Sequence, residues 1–174
     1  MNKIPLIFFL LLTGFLAALL LRSWDSTGVE SALVGRPAPA FHLPGEFKKG
    51  GSFSSEDLQG EPSIVNVFAS SCPMCRIEQG ILEEIGREEN VPVYGLNYKD
   101  TPDKLAAWLE KYGDPYDAIG ADRDGRVAID WGVQAVPETF LVDARGVIRY
   151  RHAGAVTDDD YRNIFKPLLA EMRR

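Results

Sequence analysis

The sequence predicts an α/β domain in which a mixed sheet is covered by helices on both faces. Three observations carry that prediction. The run Ser63-Ile64-Val65-Asn66-Val67-Phe68 is apolar and β-branched, the pattern of a central strand buried on both sides. From there helical and strand patterns alternate, and they close with a hairpin and a helix. The chain has 174 residues, 45% hydrophobic and 25% charged, which suits one packed domain.

The amino-terminal end reads differently. Ile4 to Leu21 carries no charge and lies between Lys3 and Arg22. As a helix it would be about 27 Å long, close to the hydrocarbon thickness of a bilayer. The Arg22-Ser23-Trp24-Asp25 sequence that follows is a poor signal-peptidase site, and Trp24 suits the membrane interface. Residues 1–22 are therefore expected to be a retained signal anchor, a transmembrane helix with its amino end in the cytoplasm. Residues 23–33 are polar and read as a linker, which leaves 34–174 as the folded domain.

Within that domain, Gly35 to Pro44 holds three prolines and is expected to be an extended entry. Ser54 to Leu58 reads as a short capped turn, and Ser63–Phe68 is the first strand. Pro73 fits the first turn of a helix on which Ile77, Ile81 and Ile85 would share a face. Val91 to Leu96 is a second strand. Thr101 then caps a helix that turns Leu105, Trp108 and Leu109 inward. A short strand is expected near Tyr116 to Ile119 and a helical turn at Val127 to Trp131. Thr139–Asp143 and Val147–Arg151 form a hairpin around Ala144-Arg145-Gly146. The closing helix starts near Asp158, with Tyr161, Ile164, Phe165, Leu168 and Leu169 on its apolar side.

Composition removes several functions. Nineteen basic against twenty-five acidic side chains give a net charge of −6, all of it in the domain, which disfavours nucleic acid and adhesion to anionic lipid. Two cysteines exclude a disulfide-stapled scaffold and any all-cysteine metal centre. Asp122-Arg123-Asp124-Gly125 lacks the acids an EF-hand needs at Gly120 and Trp131, so it reads as a turn.

The chemically pointed motif is Cys72-Pro73-Met74-Cys75, at the junction of a buried strand and a helix start. Free backbone N–H groups and the helix dipole favour a thiolate there, so Cys72 is expected to be the acidic, reactive thiol and Cys75 the shielded one. Three residues apart on one face, the two sulfurs can pair as a redox couple. The alternatives are a constitutive staple or two unrelated core thiols. A loop with only two intervening residues yields little entropic stabilisation, which argues against a staple. Thiol exchange runs in either direction, and the motif does not set which.

These residues resemble the DsbE or CcmG family, membrane-anchored thioredoxin-like proteins of cytochrome c maturation. The likeness spans the apolar anchor, Gly35-Arg36-Pro37, Asn66 to Ser70, Gly95 to Asp100, Gly132-Val133, Pro137 to Asp143, and Ile148 to Gly154. It implies a thioredoxin-like fold and a disulfide reductase on the periplasmic side of a bacterial inner membrane. Its expected partners are apocytochrome c or a haem-ligation thiol protein, and a membrane disulfide reductase of the DsbD or CcdA type that supplies electrons. No cofactor beyond the redox-active disulfide, and no metal, is implied.

Residue by residue, the resemblance makes Cys72 the nucleophile, Cys75 the resolving thiol and Pro137 a cis-proline beside them. Glu78 and Glu138 match acidic positions that would tune the thiol pKa values and relay protons. Ser71, Pro73, Met74, Ala135 and Val136 would line the substrate groove. Two positions depart from the family: Ser71 stands where Trp is usual, and Ala135 where Gly is common. The second departure is expected to narrow the groove or restrict φ.

Three alternatives compete with this reading. A general periplasmic thiol:disulfide oxidoreductase needs only the motif. A peroxiredoxin-like reading fails because Val65 and Ala69 stand where the peroxidatic pattern needs Pro and Thr. A membrane-anchored copper chaperone would use Cys72, Met74 and Cys75 as soft ligands with His42 or His152 added.

Overall fold

The structure is a computed structural model that describes residues 9, 12–15, 32–46 and 52–174. Apart from residues 9, 12–15 and 32–33, the expected anchor over 1–22 and linker over 23–33 lie outside the described residues. Among those described, no helix is long and apolar enough to cross a membrane. Residues Ser31–Arg174 make one compact unit.

Among the described residues, seven strands form one sheet: β1 His42–Glu46, β2 Ser52–Ser54, β3 Ser63–Phe68, β4 Val93–Tyr98, β5 Ala118–Asp122, β6 Glu138–Val142 and β7 Ile148–Ala153. Their order is β2-β1-β5-β4-β3-β6-β7. β3, β4 and β5 run parallel, and β1, β2, β6 and β7 add antiparallel at the flanks. The expected mixed sheet is present. The proline-rich entry contributes a strand of its own, since β1 pairs with both β2 and β5. At the opposite edge the entry segment borders the start of β7, where Gly35 N–H donates to Ile148 O at 2.8 Å and Ile148 N–H to Arg36 O at 2.9 Å.

The helices are α1 Pro73–Ile77, α2 Gln79–Glu89, α3 Pro102–Tyr112, α4 Arg126–Asp130, α5 Asp158–Asp160 and α6 Lys166–Met172, with a π-helical stretch, Tyr161–Phe165, joining the last two. They cover the faces unevenly. Leu82 and Ile85 of α2, Leu105 and Trp108 of α3, and Tyr161, Phe165 and Leu169 of the closing helix share one core with Ile64 and Phe68 of β3. The other core takes Val65 and Val67 with Phe41, Phe53, Trp131 and Phe140, and its helical side chains come from short elements, Val127 and Ala128 of α4 and Leu58 of the 3-10 turn Ser55–Leu58. Every residue of β3 is buried, as its apolar run predicts.

Element boundaries shift where local hydrogen bonding intervenes. β4 starts two residues after the expected Val91, because Asn90 adopts a left-handed conformation and Val91 N–H closes α2 on Gly86 O at 3.2 Å. Ser54 caps the turn Ser55–Leu58 in a reciprocal box with Asp57. Thr101 stands at the start of α3 as expected, but its side chain makes no capping bond; Asp100 Oδ1 accepts Thr101 N–H instead, at 3.0 Å. Asp122 accepts Val127 and Ala128 N–H at 3.2 and 2.9 Å, so the acidic turn caps α4.

One expectation fails. Ile77 does not share a buried face with Ile85: it is 63% exposed, while Ile85 is fully buried. The helix breaks at Glu78, whose carboxylate points into the core. The inward stripe therefore runs through Glu78, Leu82, Ile85 and Glu89, and Ile77 is left on the outside.

Packing near the site depends on one glycine. Trp108, Phe68 and Tyr116 stack with ring centroids 5.3 and 4.6 Å apart. A Cβ on Gly95 of the neighbouring strand would lie 2.8 Å from Phe68 Cε1 and 3.2 Å from the Tyr116 ring, so only glycine lets the stack approach the backbone.

Candidate active site

At the carboxyl end of β3 the chain makes a tight turn through Ala69, Ser70 and Ser71, which Cys72 N–H closes on Ala69 O at 3.0 Å. Cys72 is the N-cap of α1, and Pro73 takes the first helical position. Cys75 lies one turn on, with Cα atoms 5.4 Å apart, and the two sulfurs form a disulfide. Cys75 N–H donates to Cys72 Sγ at 3.1 Å, which is the stabilisation a helix start offers a thiolate. The sulfur-bearing residues differ in access: Cys72 is 8% exposed and Cys75 fully buried.

The loop before β6 forms the facing wall. The Val136–Pro137 peptide bond is cis, and Val136 O lies 3.5 Å from Cys72 Sγ. Ser71, Pro73, Met74 and Ala135 are exposed around this point, with Val136 half-buried. Ala135 lies outside the left-handed region of φ, so its methyl group needs no backbone strain, contrary to one expectation.

Behind the disulfide is a buried polar network. Glu78 Oε1 accepts from Asn66 Nδ2 at 2.9 Å and Oε2 from Val156 N–H at 3.0 Å. Asn66 Nδ2 also donates to Thr139 Oγ1 at 2.9 Å, and Asn66 Oδ1 accepts the Tyr116 hydroxyl at 2.8 Å. Gln79 Nε2 links Tyr116 Oη at 3.1 Å to the Cys75 carbonyl at 3.4 Å. Burial pushes the Glu78 carboxyl up from 4.5 to about 7, although both of its hydrogen bonds oppose the shift. Burial likewise raises the Tyr116 hydroxyl well above its ordinary range.

Glu138 has other partners. It receives Arg151 Nε and Nη2, both at 2.7 Å, together with the N–H groups of Gln134 at 2.9 Å and Ala135 at 3.4 Å. The carboxylate is thus held in a bidentate ion pair and ties down the loop that carries Pro137. Neither histidine joins the sulfurs. His152 lies 3.7 Å from Asp160, His42 is exposed on β1, and among the described residues no three His, Cys, Asp or Glu side chains are grouped to hold a metal ion.

The sequence does not single out Asn66, Gln79, Tyr116, Asp100 or Arg151 as site residues. Only Asn66 carried a visible signal, as a lone amide in an apolar strand. Asp100 receives Ser70 N–H at 2.7 Å and Ser70 Oγ at 2.8 Å, from thirty residues away in sequence.

This arrangement can exchange a disulfide with a visiting polypeptide: one cysteine slightly exposed beside the Val136 carbonyl, its partner fully buried, and a carboxyl poised near neutrality in the network linked to them. Comparison with known proteins agrees. The family model described as AhpC/TSA family matches residues 34–151. The chain is 41% identical over 179 residues to the thiol:disulfide interchange protein DsbE of Vibrio cholerae, covering 99% of this chain and 97% of that one. With the DsbE protein of Yersinia pestis it shares 43% over 169 residues, covering 95% and 89%. A crystal structure of a DsbE thiol:disulfide interchange protein from Chlorobium tepidum superposes with TM-score 0.64 at 24% identity, covering 78% of this chain and 95% of that one, a likeness of fold.

Proposed function

Because the chain belongs to the DsbE thiol:disulfide interchange proteins, on an AhpC/TSA thioredoxin-like domain, we propose that it is a membrane-tethered disulfide reductase of cytochrome c maturation. Its activity is that of a thiol:disulfide oxidoreductase acting on thiol-containing proteins. The observation that carries the reading is the graded access of the pair, with Cys72 slightly exposed against Val136 O and Cys75 fully buried.

In the reducing direction the Cys72 thiolate attacks a partner disulfide. The partner S–S bond breaks, one partner sulfur leaves and takes a proton, and a mixed disulfide with Cys72 forms. Cys75 then gives up its proton and attacks the Cys72 sulfur, which releases the second partner thiol. Two electrons have passed to the partner, and the Cys72–Cys75 disulfide remains. Glu78, buried three residues beyond Cys75 and balanced near 7, serves as the proton store for this second step. Glu138 serves the site by fixing the Gln134–Ala135 loop, and through it the groove wall at Val136.

The partner disulfide belongs to apocytochrome c or a haem-ligation protein, and a membrane disulfide reductase of the DsbD or CcdA type restores the dithiol. The apolar segment at 4–21 supports a single-pass anchor in a bacterial inner membrane with the domain in the periplasm. A tether keeps the domain at high effective concentration near membrane-bound partners. Exposed Met74, between the two cysteines, supplies apolar contact in place of the ring that Ser71 lacks.

The test is Cys75→Ser in the full chain, which leaves the mixed disulfide on Cys72 unresolved. Recovery of apocytochrome c or haem-ligation thiol proteins on Cys72 is expected. A broad mixture of secreted proteins would assign a general oxidoreductase instead.

A further inference from the structure

We propose that Asp100 is a positioning residue for Cys72, acting through the turn that carries the attacking sulfur. This rests on reading Cys72 as the attacking thiol. The turn Ala69–Ser71 leaves the sheet after Phe68, where the β3 ladder ends, so something outside the ladder must hold it. Asp100, just past the end of β4 and 8% exposed, does so. Its Oδ2 accepts Ser70 N–H at 2.7 Å and Asn97 Nδ2 at 3.2 Å, and its Oδ1 accepts Ser70 Oγ at 2.8 Å and Thr101 N–H at 3.0 Å.

Four donors on one carboxylate make short, charge-assisted bonds. Burial alone would raise the Asp100 carboxyl, but the bonds from Ser70, Asn97 and Thr101 outweigh it and hold the group below its ordinary value. The backbone of Asp100 is itself braced: Arg123 Nη1 donates to the Asp100 main-chain carbonyl at 2.5 Å, and Arg123 is ion-paired with Glu46 of β1. A continuous polar strap therefore crosses the sheet from β1, past the ends of β5 and β4, to the turn after β3.

Only Ser71 separates the clamped Ser70 from Cys72. The bond that favours the Cys72 thiolate, from Cys75 N–H to Sγ at 3.1 Å, requires the sulfur to stay over the helix start. Release of Ser70 lets the turn move and carries Sγ off that N–H. Ser70 N–H donates to one carboxylate oxygen and Thr101 N–H to the other, and a backbone N–H can only donate, so the clamp needs two acceptor oxygens at position 100, which an amide lacks.

Asp100→Asn, Ser70→Ala and the double variant are compared with wild type in the full chain, reduced. Cys72 ionisation is followed by ultraviolet thiolate absorbance, exchange with dipyridyl disulfide by stopped flow, and stability by thermal melting. Asp100→Asn is expected to raise the pH at which Cys72 ionises, with exchange slowed about threefold for each tenfold loss of thiolate, since a more basic thiolate partly compensates. Ser70→Ala should shift both in the same direction but less, and the double variant should be no worse than Asp100→Asn. An ionisation shifted downward would mean that the Asp100 charge acts on the thiolate through space, and would overturn the proposal. A lowered melting temperature with unmoved ionisation and exchange would also overturn it. If Asp100→Asn does not fold, Ser70→Ala, which removes a single bond, decides on the same readouts. A wild type that exchanges no disulfide would overturn the reading of Cys72 itself.

Discussion

The backbone N–H of Val156 donates to Glu78 Oε2 at 3.0 Å, so the carboxyl that follows Cys75 in sequence is answered by the loop after β7. Asn66 Nδ2 meets the other oxygen at 2.9 Å. Two donors permit the charge that burial resists, and the balance falls near 7.

That balance makes stability depend on pH. The folded value near 7 lies above the ordinary 4.5, so folding favours the protonated form. The stabilisation is complete below the ordinary value and is lost as pH rises through about 7, about 3 kcal/mol in all. Glu78→Gln should remove this slope, measured as the difference in urea-unfolding free energy between about pH 5 and about pH 8. A variant that loses as much stability as wild type over that range would contradict the assignment.

Reduction should leave two unequal thiols. Cys72 keeps a slight exposure and is met by a helix N–H, while Cys75 is fully buried. Limiting iodoacetamide on the reduced native protein is expected to label Cys72 at least about tenfold faster than Cys75, read by peptide mass spectrometry. Equal labelling would show that the resolving thiol is not shielded.

Arg151→Met strands the Glu138 carboxylate, whose side chain is 2% exposed. Removing one partner of a buried pair costs about 3–5 kcal/mol. The variant should show that loss in urea denaturation, with slower exchange as the Gln134–Ala135 loop loosens. A change below about 1 kcal/mol, the range of exposed pairs, would show that the pair behaves as a surface one.

Gly95→Ala places a methyl group 2.8 Å from Phe68 Cε1. Overpacking of this kind costs about 1–3 kcal/mol, and the near-ultraviolet circular dichroism of the Phe68–Tyr116–Trp108 stack should change with it. An unchanged spectrum and melting temperature would mean that the stack tolerates the added group.

The fold was legible wherever a side-chain period maps directly onto burial. β3 announced itself as an unbroken apolar run, and α3 through Leu105, Trp108 and Leu109, all buried as expected. Ile77 misled because four-residue spacing presumes a continuous helix, and a buried carboxylate at Glu78 broke it. The sulfur pair was legible because its chemistry lies within four consecutive residues. The supports of the site were not, since they join distant segments: Asp100 to Ser70 across thirty residues, Glu138 to Arg151 across thirteen, Glu78 to Val156 across seventy-eight. No local pattern encodes such pairs.

The sheet's margins have a consequence for life in a crowd. β1 occupies the flank of β5, and the outermost strand on that side, β2, is only three residues long. At the far margin, the first residue of β7, Ile148, is paired with Gly35 and Arg36. Among the described residues, the shortness of β2 and the tie at the start of β7 shorten the rows of vacant peptide groups on which a second molecule might stack, which guards crowded copies of the domain against zipping together.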